Sequence, residues 1–107
     1  MSRRINILIK EPNDNPQLIK IPNRLSSLQL VVGGYIETVT IASDLVIICN
    51  EEGRIKDLPY NCSICGVDFY GTIILCGFDG EEFADVPMRY DQAKRLFPAL
   101  WEVNENV

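Results

Sequence analysis

Histidine is absent from the 107 residues. With it go imidazole general bases, Ser-His-Asp and Cys-His catalysis, and every histidine metal ligand. Any reaction would fall to carboxylates, lysine, tyrosine or cysteine. Nor does any apolar run approach the roughly 20 residues that a membrane-spanning helix needs. Ile5 to Ile9 follows Met1-Ser2-Arg3-Arg4, but Lys10, Glu11 and Asn13 interrupt it too early for a secretory leader. The expectation is a cytoplasmic protein with no membrane partner. Positive charge is also scarce, with 10 lysines and arginines against 15 aspartates and glutamates and a net charge of −5. Such a chain repels phosphate backbones, so nucleic acid is not expected as a partner. An acidic DNA mimic would need a dense carboxylate face, whereas these acids scatter outside Glu51-Glu52 and Asp79 to Asp85. Repeats, linkers and low-complexity tracts are missing too. The length matches the commonest domain size, giving one domain over residues 1–107.

What is present is a succession of short periodic segments. Arg4 to Lys10 alternates as a strand, with Ile5, Ile7 and Ile9 on one face and Leu8 on the other. The turn formers from Glu11 to Pro16 lead into a second strand, Gln17 to Ile21, and the two read as an antiparallel hairpin. Asn23 is placed to cap a helix over residues 24–32, in which Leu25, Leu28 and Val32 recur at helical spacing. Gly33 supplies its left-handed stop. Tyr35 to Ile41 returns to period two, and Leu45 to Cys49 is apolar at every position, as in a strand covered on both faces. Asn50-Glu51-Glu52-Gly53 reads as a hairpin tip, with Arg54-Ile55-Lys56 as a short exposed return strand. Leu58 to Asn61 reads as irregular. Gly71 to Gly77 is a second continuous apolar strand. Pro87 opens a terminal helix with Tyr90, Ala93, Phe97, Leu100 and Trp101 on one side, broken after Leu96 by Pro98. The expected fold is α+β: a mainly antiparallel twisted sheet of about five or six strands, one helix after the first hairpin and one at the C-terminus. Two wholly apolar strands also raise the expectation of a homo-oligomer, with a second copy covering the sheet.

Cys62 and Cys65 have the spacing of a metal or redox pair, which Cys49 and Cys76 would complete only by converging with them. Against that, only one such pair is present, and cysteines in apolar strands behave as small hydrophobes. A small zinc-binding or thiol-redox domain using Cys62 and Cys65 is therefore the alternative, and no metal or cofactor is assigned. Asp79, Glu81, Glu82 and Asp85 lack the ligand alternation of a calcium loop and read as a solvated acidic turn. Glu37, Glu51 and Glu52 could supply an acid and a base, but adjacent glutamates at a hairpin tip point apart into water. Lys94-Arg95 reads as a solvated helix edge. Tyr35, after two glycines, has two readings: a ring that stacks on a planar ligand, or a core residue following a helix stop.

Gly33-Gly34-Tyr35-Ile36-Glu37, then Ile48-Cys49-Asn50-Glu51-Glu52-Gly53-Arg54-Ile55-Lys56, then Leu58-Pro59-Tyr60-Asn61 and Gly71-Thr72-Ile73-Ile74 together resemble the family grouped as domain of unknown function 3846. The likeness runs from about Ile5 to Gly77. It implies small bacterial proteins frequent on phages and conjugative elements, without an assigned reaction and without fixed cysteines at 62 and 65. Gly33, Gly34, Tyr35, Glu37, Asn50, Glu51, Gly53, Pro59 and Asn61 match its pattern. The ligand-binding candidates are Gly33, Gly34, Tyr35, Glu37, Asn50, Glu51, Gly53 and Asn61, with no catalytic residue. The functional expectation is a non-enzymatic binding module of a phage or mobile element. It would sequester a small host metabolite or nucleotide defence signal. A further alternative is an acidic protein that inhibits a host protein.

Overall fold

The computed structural model describes residues 3–103. Along the chain run β1 (Arg4–Lys10), β2 (Gln17–Pro22), α1 (Leu25–Val32), β3 (Ile36–Ala42), β4 (Leu45–Asn50), β5 (Tyr60–Ile64), β6 (Val67–Tyr70), β7 (Ile73–Phe78), β8 (Phe83–Ala84), α2 (Tyr90–Leu96) and a 3-10 turn, Pro98–Trp101. The fold is α+β, and every strand pair is antiparallel. The main sheet has the order β2-β1-β7-β4-β3, with β8 joined to the end of β7, while β5 and β6 form a separate hairpin.

The two unbroken apolar strands are central because each feeds two cores. Leu45, Ile47 and Cys49 of β4 and Ile73 and Leu75 of β7 face one core; Val46, Ile48, Ile74 and Cys76 face the other. The first core is closed by Cys62, Ile64 and Phe69 of the β5–β6 hairpin together with Ala93 and Leu100. The second is closed by Leu28 and Val32 of α1. Both faces are therefore covered by the chain itself, which explains the continuous apolarity without a second copy. Among the described residues no helix is long and apolar enough to cross a membrane.

Several local readings need correction. Asn23 does not cap α1: its Nδ2 donates to the Phe83 carbonyl at 2.9 Å, tying the end of β2 to β8. The return strand expected at Arg54-Ile55-Lys56 is a compact series of turns over residues 51–57. Lys56 N–H donates to the Glu52 carbonyl and Leu58 N–H to the Gly53 carbonyl, both at 2.9 Å. Three alternating residues are too few to outweigh those local bonds, and Ile55 is left 81% exposed. Of the segment expected to be irregular, Leu58 and Pro59 are so, while Tyr60 and Asn61 already belong to β5. Its hairpin turns on Cys65 (φ 51°) and Gly66 (φ 80°), two left-handed residues as a tight two-residue hairpin demands. The terminal helix stops at Leu96, and Pro98 starts the 3-10 turn.

Candidate functional site

Four of the eight sequence candidates meet at one place. Glu37 from β3, Asn50 from the end of β4, and Glu51 and Gly53 from the following loop line a cleft of about 160 Å³. Its opposite wall is Val67, Asp68, Phe69 and Tyr70 of β6, and Arg54 stands at the mouth. Phe69 and Cys49 reach into the first core beneath it. The cleft exists because β6 packs over β4 and leaves the terminal strand β3 uncovered beside it.

Asn50 builds the walls more than it offers itself. It is buried, donating from Nδ2 to the Val32 carbonyl at the end of α1 (3.2 Å) and accepting at Oδ1 from Glu52 N–H (2.8 Å). Gly34 lies against this amide, and a Cβ there would stand 2.8 Å from Asn50 Nδ2. A Cβ on Gly53 would come equally close to the Tyr70 carbonyl, so a side chain would push the loop off β6. Gly33 is the left-handed C-cap of α1, at φ 79°. Neither Gly33 nor Gly34 lines the cleft.

Tyr35 is 68% exposed and does not pack in the core. It stands just outside the cleft, its carbonyl accepting from Glu51 N–H at 3.0 Å. Asn61 lies elsewhere. Its Nδ2 donates to the carbonyls of Lys10 and Gly71, both at 2.7 Å, and thereby fastens the base of the β5–β6 hairpin to the end of β1. Pro59 belongs to the same joint, its carbonyl accepting from Gly71 N–H at 2.7 Å.

Arg54, Asp68 and Tyr70 were not singled out from the sequence. The Arg54 guanidinium lies 5.1 Å from the centre of the Tyr70 ring, donates to its hydroxyl at 3.4 Å and approaches Asp68 at 3.9 Å. Both members of that ion pair are well exposed, so it holds the arginine only loosely. Tyr60 packs edge-on against Tyr70, with ring centres 5.6 Å apart. The alternation of Val67 to Tyr70 was the available signal. The short hairpin hid it.

The cysteines do not converge. Cys49 and Cys76 belong to cores on opposite faces of the sheet, Cys62 is buried, and Cys65 is exposed on the hairpin turn. Burial pushes the thiols of Cys49 and Cys62 up to about 11 and that of Cys76 to about 12. At neutral pH these three are not thiolates, the form that binds metal or attacks a disulfide. Among the described residues no cluster of three or more cysteines and acids is placed to hold a metal ion. The acidic turn is internally tied. Asp79 Oδ1 accepts from the N–H groups of Glu81 and Glu82, Glu82 pairs with Arg3 at 2.8 Å, and Asp85 accepts from Asn6 N–H.

Larger and more open depressions, of about 490 and 440 Å³, lie beside Trp101 and beside α2. Neither contains a sequence candidate. Comparison with protein families gives a match to the model of a domain of unknown function, DUF3846, over residues 5–97. Comparison with curated proteins and with solved structures gives no match.

Proposed function

Because the chain belongs to the DUF3846 family, whose description assigns no activity, we propose from its own side chains that it is a non-catalytic binding module working through the cleft between β3–β4 and β6. One observation carries this reading: Glu37 and Glu51, brought in by two separate glycine-flanked segments, meet Arg54, Asp68 and Tyr70 around a single concavity. The volume, about 160 Å³, falls below the roughly 300 Å³ at which pockets for drug-sized ligands begin. It suits one side chain better than a whole nucleotide. Three carboxylates against one guanidinium favour a cationic group, with Tyr70 offering a ring face once Arg54 swings aside. The occupant we propose is a lysine or arginine of a partner protein. A setting on phages or conjugative elements, which the resemblance implies, supports a host factor as that partner. Phosphate-bearing metabolites fit less well, since the rim repels them.

The test is an NMR titration of the labelled protein with N-acetyl-arginine amide, N-acetyl-lysine amide and a panel of nucleotides. Saturable shifts at Glu37, Glu51, Arg54 and Tyr70 with the cationic probes, lost in a Glu51→Lys/Asp68→Lys variant, are expected. Shifts with nucleotides alone would replace this reading with metabolite sequestration. No shift in the cleft with any probe would end it.

A further inference from the structure

One cation is already in place at the cleft, and the chain itself supplies it. The Arg54 guanidinium carbon lies 5.1 Å from the centre of the Tyr70 ring, and its Nη2 stands 3.4 Å from the Tyr70 hydroxyl and 3.9 Å from Asp68. Asp68 and Tyr70 are two residues apart on β6, so ring and carboxylate share one face of the strand. A planar guanidinium can use both groups at once. It stacks on the ring and still directs N–H groups, in its own plane, at an oxygen. A lysine ammonium is a compact point charge with no such plane.

Arg54 fills this place poorly. Both polar contacts come from one nitrogen, and both exceed the roughly 2.7–2.9 Å of a good charge-assisted bond. The reason is its tether. Gly53, the residue before it, is packed so closely that a Cβ there would stand 2.8 Å from the Tyr70 carbonyl. Leu58 N–H and Lys56 N–H then close the loop onto the carbonyls of Gly53 and Glu52. With the backbone fixed on both sides, the side chain is left 71% exposed and meets Asp68 with one arm of its fork.

We infer that Arg54 holds the ligand's place: the cleft selects the guanidinium of a partner protein's arginine over a lysine ammonium, and the partner binds by displacing Arg54 from Tyr70 and Asp68. The inference rests on the proposed reading of the cleft as a cation site and narrows it. Displacement costs little, because Arg54 is exposed and its ion pair is loose. An untethered guanidinium can bring both arms onto the Asp68 carboxylate, the stronger bidentate arrangement. Selectivity follows from the same exchange. An incoming arginine replaces a guanidinium with a better-placed one, whereas a lysine must displace a group that suits the ring and carboxylate better than it does.

Arg54→Lys separates occupancy from charge, since it keeps the positive charge at the mouth but gives up the planar stack on Tyr70. In NMR titrations, the wild-type protein should bind N-acetyl-arginine amide more tightly than N-acetyl-lysine amide. Arg54→Lys should bind the arginine probe about two- to fivefold more tightly still, the range that an exposed cation–π contact supplies. At saturation the Tyr70 ring resonances of the two proteins should converge, because the same guanidinium then covers the ring. Asp68→Asn should weaken the arginine probe more than the lysine probe. Arginine-probe affinity unchanged or lower in Arg54→Lys, or lysine-probe binding equal to or tighter than arginine-probe binding in the wild type, would overturn the inference and leave the cation site standing. Failure of both probes to bind any of these proteins would remove the cation site as well.

Discussion

Asn61 and the three buried thiols show how much of this chain's polar chemistry serves the fold. Asn61 satisfies two carbonyls from distant parts of the chain, Lys10 and Gly71. Asn61→Ala leaves both without that donor and should cost about 1–3 kcal/mol, read as a lower urea midpoint. The family-like pattern marked this residue, but nothing in a short Leu-Pro-Tyr-Asn segment tells a joint from a ligand site. That distinction depends on Lys10, 51 positions away. The thiols give a pH dependence. Folding raises Cys49, Cys62 and Cys76 from an ordinary 9.0 to about 11, 11 and 12, so the unfolded chain releases these protons first. Their contribution to stability is complete below about pH 9 and is lost as the pH climbs to 11–12. Lys10, lowered by burial, works in the opposite direction but is a single group. The urea midpoint should therefore fall above pH 9, and less steeply in Cys76→Ala. At neutral pH, Cys65 should be the one thiol that reacts readily with a disulfide reagent in the native protein.

Among the elements, those legible from residue pattern were the ones whose pattern spans enough residues. Five apolar positions in succession fixed β4, and helical spacing closed by Gly33 fixed α1 to within a residue. The β5–β6 hairpin was not legible, because its turn is Cys-Gly and not the Asn-Gly that usually signals two left-handed residues. Its inner face is also only Cys62, Ile64 and Phe69. That omission hid half of the cleft. The joint between α1 and β4 allows a sharper test. Gly34→Ala places a methyl 2.8 Å from Asn50 Nδ2 and must displace the amide from the Val32 carbonyl. The expected loss is about 1–3 kcal/mol, with NMR shifts that propagate to Glu51 and Glu52. Gly33→Ala meets nothing within 4 Å but forces alanine to φ 79°, a strain of about 1–2 kcal/mol. Thermal melts of the two should fall together, while only Gly34→Ala should disturb the cleft's resonances.

For the whole molecule the decisive property is that one sheet carries two cores. Adjacent residues of β4 and β7 alternate between them, so the packing of each face bears on the ladder that the other uses. The sole tryptophan, Trp101, reports on the first face. Its Nε1 donates to the Tyr90 hydroxyl at 3.0 Å, which in turn donates to the Pro16 carbonyl at 2.8 Å. Ile74 lies on the second face and is fully buried. Ile74→Ala should cost about 2–5 kcal/mol through lost burial and the cavity left behind. If the sheet couples the cores, tryptophan fluorescence and far-ultraviolet circular dichroism should shift to lower denaturant by the same amount, with coincident transitions. A fluorescence transition left in place while the dichroism moves would mean that the β5–β6, α2 and 3-10 layer unfolds on its own. It would then be a layer that outlasts the sheet, and the cleft between them would be lost with β4 and not with the hairpin.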